Sequence, residues 1–116
     1  MNYYSIPGLD FDFKRRRNAV RLGANTPEGI IARVTDYFGI TLDQMKQRDR
    51  HRPVVYARQV AMYIMYSRTT LSLKNIGERF GNRDHTTVLH AKQLIKDLMD
   101  VDPRVSEDVN ELLKKM

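Results

Sequence analysis

Leu71-Ser-Leu-Lys-Asn-Ile-Gly-Glu-Arg-Phe-Gly-Asn-Arg-Asp-His-Thr-Thr-Val-Leu-His-Ala-Lys-Gln-Leu94 is the stretch that decides the fold. It spells two helices joined by a tight turn, expected over residues 72–80 and 84–99. Ser72 is a suitable N-cap, because its hydroxyl can accept from an orphan backbone N–H. Leu73, Ile76 and Phe80 follow at i, i+3 and i+7, an apolar stripe on one helical face. Gly77 beside that stripe leaves room for another helix to come close. Gly81 stands where a left-handed glycine ends a helix, Asn82 tolerates the same geometry, and Asp84 is placed to cap the next helix. At about 100° per residue, Val88, Ala91, Leu94, Ile95 and Leu98 then share one side, expected to be core. Thr86, His90, Gln93 and Asp97 lie roughly opposite, and His85, Leu89, Lys92 and Lys96 form an adjacent stripe. Leu89, off the core side, is expected to touch a neighbouring helix. The outer first turns thus carry His85, Thr86 and His90, with Arg83 and Asp84 at the tip. Side chains of this kind, at the N-terminal end of a helix, suit the major groove of DNA. There an Asp accepts from cytosine N4 and a Thr methyl meets the thymine methyl.

Working outward, the basic residues concentrate upstream of this motif. Residues 27–71 hold seven Lys/Arg against four Asp/Glu, whereas residues 101–116 hold three against four. Lys46-Gln-Arg-Asp-Arg-His-Arg52 sets four cations against Asp49 in a connection between two helices. Such a run reads as a solvated loop or as a loop that neutralises phosphates, with one arginine reaching into a minor groove; beside a two-helix motif the second reading is preferred. Pro53 opens a helix to about Arg68, apolar over most of its circumference and therefore expected at the centre. Arg58 and Gln59 are its polar exceptions, placed to hold phosphates. Thr26-Pro27-Glu28 and Asp102-Pro103 are helix starts, Gly39 is a stop, and Thr41-Leu-Asp-Gln44 is a capping box. The fold class is therefore all-α, a small bundle of five to six helices containing a helix-turn-helix.

One domain is expected over residues 26–116, preceded by a partly basic arm over residues 1–25. Tyr3, Tyr4, Ile6, Leu9, Phe11 and Phe13 make that arm too apolar for a purely solvated tail. Docking on the domain or on a protein partner is expected of some of them. Lys14-Arg-Arg-Arg17 adds general electrostatic attraction. A net charge of +6 and pI near 9.8 suit a polyanionic partner, a balance that ribosomal, membrane-surface and DNA-binding proteins share. The chain of 116 residues has no cysteine, so disulfides and thiolate metal sites are excluded. No apolar run approaches the ~20 residues of a membrane span, and no signal-peptide core is visible at the start. The expectation is a cytoplasmic, nucleoid-associated protein with no membrane partner, no cofactor and no metal. Catalysis is not expected: His85 and His90 miss the i, i+4 spacing of a helical metal site. Asp84 beside His85 reads as a cap and base reader rather than as part of a triad.

Residues 78–91, Glu-Arg-Phe-Gly-Asn-Arg-Asp-His-Thr-Thr-Val-Leu-His-Ala, closely resemble the signature of the C-terminal DNA-binding domain of DnaA, the bacterial replication initiator. Arg58-Gln-Val-Ala-Met62 and Ser72-Leu-Lys-Asn-Ile-Gly77 fit the same family at the same spacing, and the resemblance covers roughly residues 27–116. It implies an all-helical domain that binds double-stranded DNA at the DnaA box, a short asymmetric site. By position it implies that Arg50 is the minor-groove arginine and that Asp84, His85 and Thr86 read bases in the major groove, with Thr87 and His90 beside them. Arg58, Gln59 and Arg83 become phosphate or supporting contacts, and Arg52 belongs to the same basic loop. Thr87 falls nearer the core side in the face pattern. Asn82 replaces a second glycine of the family, and Tyr56-Ala57 replace a common Arg-Pro, with the loss of one charge. No Gly-x-x-x-x-Gly-Lys-Ser/Thr loop occurs, so the ATPase portion is absent and a stand-alone relative is favoured over an excised domain. The expected role is initiation of chromosomal replication or its regulation. Two alternatives remain. One is a transcription regulator using the same motif at a different site. The other is a helical adaptor whose arm, residues 1–25, orders on a protein partner.

Overall fold

A helix that is apolar over most of its circumference must be covered on most sides, and the stretch after Pro53 is that helix. The computed structural model describes residues 26–48 and 50–114. Six helices occur among them: α1 (Pro27–Phe38), α2 (Leu42–Lys46), α3 (Arg52–Arg68), α4 (Leu73–Arg79), α5 (His85–Val101) and α6 (Pro103–Lys114). α3 packs against all five others. Val54, Ala57, Val60, Ala61, Met62, Ile64 and Met65 are all buried, as the expected central place of α3 requires. The expectation of an all-α bundle with a helix-turn-helix is met. The apolar arm expected over residues 1–25 lies outside the described residues.

Local chemistry sets the helix ends. The Thr26 hydroxyl accepts from Gly29 N at 3.1 Å, and Gly39 closes α1 at φ 71°. Thr41 and Gln44 form the reciprocal capping box of α2. Ser72 Oγ accepts from Asn75 N at 3.1 Å to start α4, and the Asp102 carboxylate accepts from Arg104 N at 2.9 Å to start α6. On α6, Val105, Val109 and Leu112 are buried, with Leu113 packed beside them.

Two ties between distant helices stabilise the frame. Arg79 pairs with Glu28 at 2.8 Å, joining α4 to α1. Tyr37 and Tyr56 donate to the two oxygens of Asp108 at 2.9 and 2.7 Å, joining α1 and α3 to α6. Tyr56, where the resembling family commonly has arginine, thus replaces a charge with a hydrogen bond. Its ring also meets Phe38 edge-on. Burial, then the Asp108 hydrogen bond, pushes both phenols up, Tyr37 to about 12.

Candidate nucleic-acid interface

The turn between α4 and α5 is built from left-handed backbone. Gly81 has φ +83° and Asn82 φ 57°, as turn chemistry requires. The Gly77 carbonyl accepts from Phe80 N at 3.1 Å and Arg83 N at 2.9 Å, folding the turn back on α4. A Cβ on Gly77 would strike the Arg83 carbonyl, so the close approach there is to the turn itself. On α5, Val88, Ala91 and Ile95 are buried against α3 and α4.

That anchoring turns the first face of α5 outward. Asp84, His85, Thr86, Thr87 and His90 are all exposed. Asp84 sits at the N-cap position without a side-chain cap bond. Its carboxylate instead accepts from Thr86 Oγ1 at 2.8 Å and lies 3.0 Å from His85 Nδ1. The Thr86 hydroxyl, followed by the neighbouring imidazole, holds the Asp84 carboxyl below the usual range. The three side chains form one polar cluster at the positive end of a helix. Thr87, placed nearer the core by its periodicity, is exposed and lines an open groove between α3 and α5 with Arg58, Gln59, Met62, His90 and Leu94.

One apolar expectation fails: Leu94, assigned to the core stripe, is 41% exposed. α5 is wider than the strip that α3 and α4 cover, so residues at the margins of the stripe stay wet.

The basic loop lies against the turn. A Cβ on Gly81 would strike the Lys46 carbonyl, so the end of α2 meets the turn backbone to backbone. Arg48, Arg50 and Arg52 are exposed, and Gln59 is half-buried about two turns into α3. Arg58 is different: it is 7% exposed. Its Nε donates to Met45 O at 3.1 Å and its Nη2 to Gln47 O at 3.2 Å. Arg83 Nη2 donates to the same Gln47 oxygen at 2.5 Å. Burial, then the nearby Arg48 charge, lowers the Arg83 guanidinium's proton affinity. Burial sets Arg58 apart from the exposed cations expected to meet phosphate. Gln47 was not anticipated at all, because its contribution is a backbone carbonyl that no side-chain pattern reveals.

Among the described residues no group of three His, Asp or Glu could hold a metal ion, and no helix is long and apolar enough to cross a membrane. A helical core presenting the polar first turn of α5 beside an arginine-bearing loop defines a helix-turn-helix DNA-binding domain.

The family model described as "Bacterial dnaA protein helix-turn-helix" matches residues 27–95, and the chain belongs to that family. It is 49% identical over 86 residues to the chromosomal replication initiator protein DnaA of Bifidobacterium animalis subsp. lactis, covering 74% of this chain and 15% of that protein. It is 47% identical over 91 residues to the DnaA of Gluconobacter oxydans, covering 78% of this chain and 19% of that protein. The DnaA of Cutibacterium acnes is 43% identical over 91 residues, with 78% and 18% covered. The chain therefore spans less than a fifth of the length of these relatives. The family is a DNA-binding one, without catalysis of its own.

Proposed function

We propose that this chain binds double-stranded DNA sequence-specifically at DnaA-box-like sites, in the service of initiating chromosomal replication or regulating it, at the nucleoid in the cytoplasm. The observation that carries the reading is the exposed Asp84–His85–Thr86 cluster at the start of an anchored helix, beside the exposed Arg48, Arg50 and Arg52. In this mechanism the first turns of α5 enter the major groove. Asp84, His85 and Thr86 meet base edges there, with Thr87 and His90 beside them. Arg50 enters the adjacent minor groove, and Arg52 and Gln59 meet phosphates. The chain divides at residue 26, with residues 1–25 an arm that adds charge and offers a protein partner an apolar segment.

Fluorescence anisotropy of a labelled DnaA-box duplex against a scrambled duplex, at two salt concentrations, tests this. Tighter binding to the box at both salts is expected. Equal, salt-sensitive binding to both duplexes would reject the DnaA-box target in favour of a regulator with another site. Binding to neither would reject the DNA reading itself.

A further inference from the structure

We infer that Arg58 and Arg83 are positioning residues that hold the basic loop in register with the recognition helix, acting on DNA through the loop rather than by touching phosphate. The inference rests on the DNA reading above and goes beyond it.

Three consecutive residues at the end of α2 are fixed from outside. The Met45 carbonyl accepts from Arg58 Nε at 3.1 Å. The Lys46 carbonyl is in close contact with Gly81 in the turn. The Gln47 carbonyl accepts from both Arg58 Nη2 at 3.2 Å and Arg83 Nη2 at 2.5 Å. The last carbonyls of a helix have no partner within it, and the negative end of the helix favours a cation there. Two arginines from different elements, α3 and the turn, fill this need at one point. Arg48 follows Gln47 directly, and Arg50 lies two residues on.

The consequence is geometric. Arg83 immediately precedes the Asp84–Thr86 cluster, so one guanidinium ties the start of the recognition helix to the start of the loop. Arg58 ties both to the central helix. A loop so registered presents Arg50 at a fixed offset from α5, which is what simultaneous entry into two adjacent grooves requires. Arg58 borders the groove between α3 and α5, but at 7% exposure, with Nε and Nη2 already on carbonyls, most of its guanidinium is committed to the loop rather than to a phosphate.

Two readouts on the full chain test this. The first is amide hydrogen exchange without DNA, comparing Arg58→Met and Arg83→Gln with the parent. Without those ties the end of α2 loosens, so exchange at the Met45 and Gln47 amides, which donate to the Thr41 and Asp43 carbonyls, should speed up by about fivefold or more, with α5 unchanged. The second is a double-mutant cycle with Arg50→Ala on the box duplex. Each single substitution should lower affinity by about tenfold, but with Arg50 already removed the loss of Arg58 should add little. The salt slope should stay at the parent value for Arg58→Met, whereas Arg52→Ala should lower it by about one. If Arg58→Met does not fold, Arg83→Gln, whose site is half-exposed, carries both readouts. Unchanged exchange at 45–47, additive losses with Arg50→Ala, or a lowered salt slope would each overturn the inference. If the parent shows no preference for the box, the DnaA-box target fails; if it binds neither duplex, the DNA reading fails; in both cases the exchange result alone decides whether the arginines hold the loop.

Discussion

Gly81 and Asn82 provide a controlled comparison, since both adopt the left-handed conformation, at φ +83° and 57°. Replacing either with alanine imposes about 1–2 kcal/mol of left-handed strain. At Asn82 part of that strain is already present, so Asn82→Ala should cost about 1 kcal/mol or less. Gly81→Ala carries a second penalty, because the new methyl would strike the Lys46 carbonyl, which is backbone and cannot swing aside. Forcing an extra methyl into a filled space costs about 1–3 kcal/mol. The stiffer unfolded chain returns only about 0.4–1 kcal/mol. Gly81→Ala should therefore destabilise by about 2–4 kcal/mol, clearly more than Asn82→Ala. Urea denaturation followed by circular dichroism measures both. Because the displaced atoms belong to the base of the basic loop, Gly81→Ala should also weaken DNA binding at temperatures where the protein remains folded. Equal destabilisation by the two alanines would refute the backbone contact between the turn and α2.

Other expectations separate stability from recognition. Asp84→Ala should leave stability within about 0.5 kcal/mol, because no cap hydrogen bond is lost, while reducing discrimination by about 1–3 kcal/mol in competition binding with box variants. Ser72→Ala removes a real cap and should lower stability by about 1 kcal/mol in the same denaturation assay. Alkaline pH should expose the Asp108 tie. Tyr37 titrates near 12 folded against 10 unfolded, so the native state retains a proton that the unfolded chain releases. Its contribution is complete below pH 10 and is lost as pH rises towards 12. Tyr56 acts in the same sense. In Tyr37→Phe/Tyr56→Phe the decline in urea midpoint above pH 10 should be shallower than in the parent.

What was legible in the sequence was local. Thr26, Thr41, Ser72, Gly39 and Gly81 mark helix ends through interactions within a few residues, and each does so in the fold. The polar first turn of α5 was legible because its spacing opposes that of Val88, Ala91 and Ile95. Three features were not. The exposure of Leu94 depends on how broadly neighbouring helices cover α5, which angular spacing does not specify. Asp84 occupies the cap position, but its carboxylate engages Thr86 and His85 instead. The placement of Arg58 depends on where the Met45 and Gln47 carbonyls lie in space, and a sequence that shows an arginine in the first turns of a helix beside a basic loop suggests exposure just as readily.

The most direct single measurement is a nitrogen-15 chemical-shift map of the chain titrated with a DnaA-box duplex. The account predicts that perturbations concentrate in two segments, residues 46–52 and 83–90, saturating together, with α6 unaffected. Perturbations centred on α6, or confined to one of the two segments, would contradict a domain that reads two adjacent grooves at once.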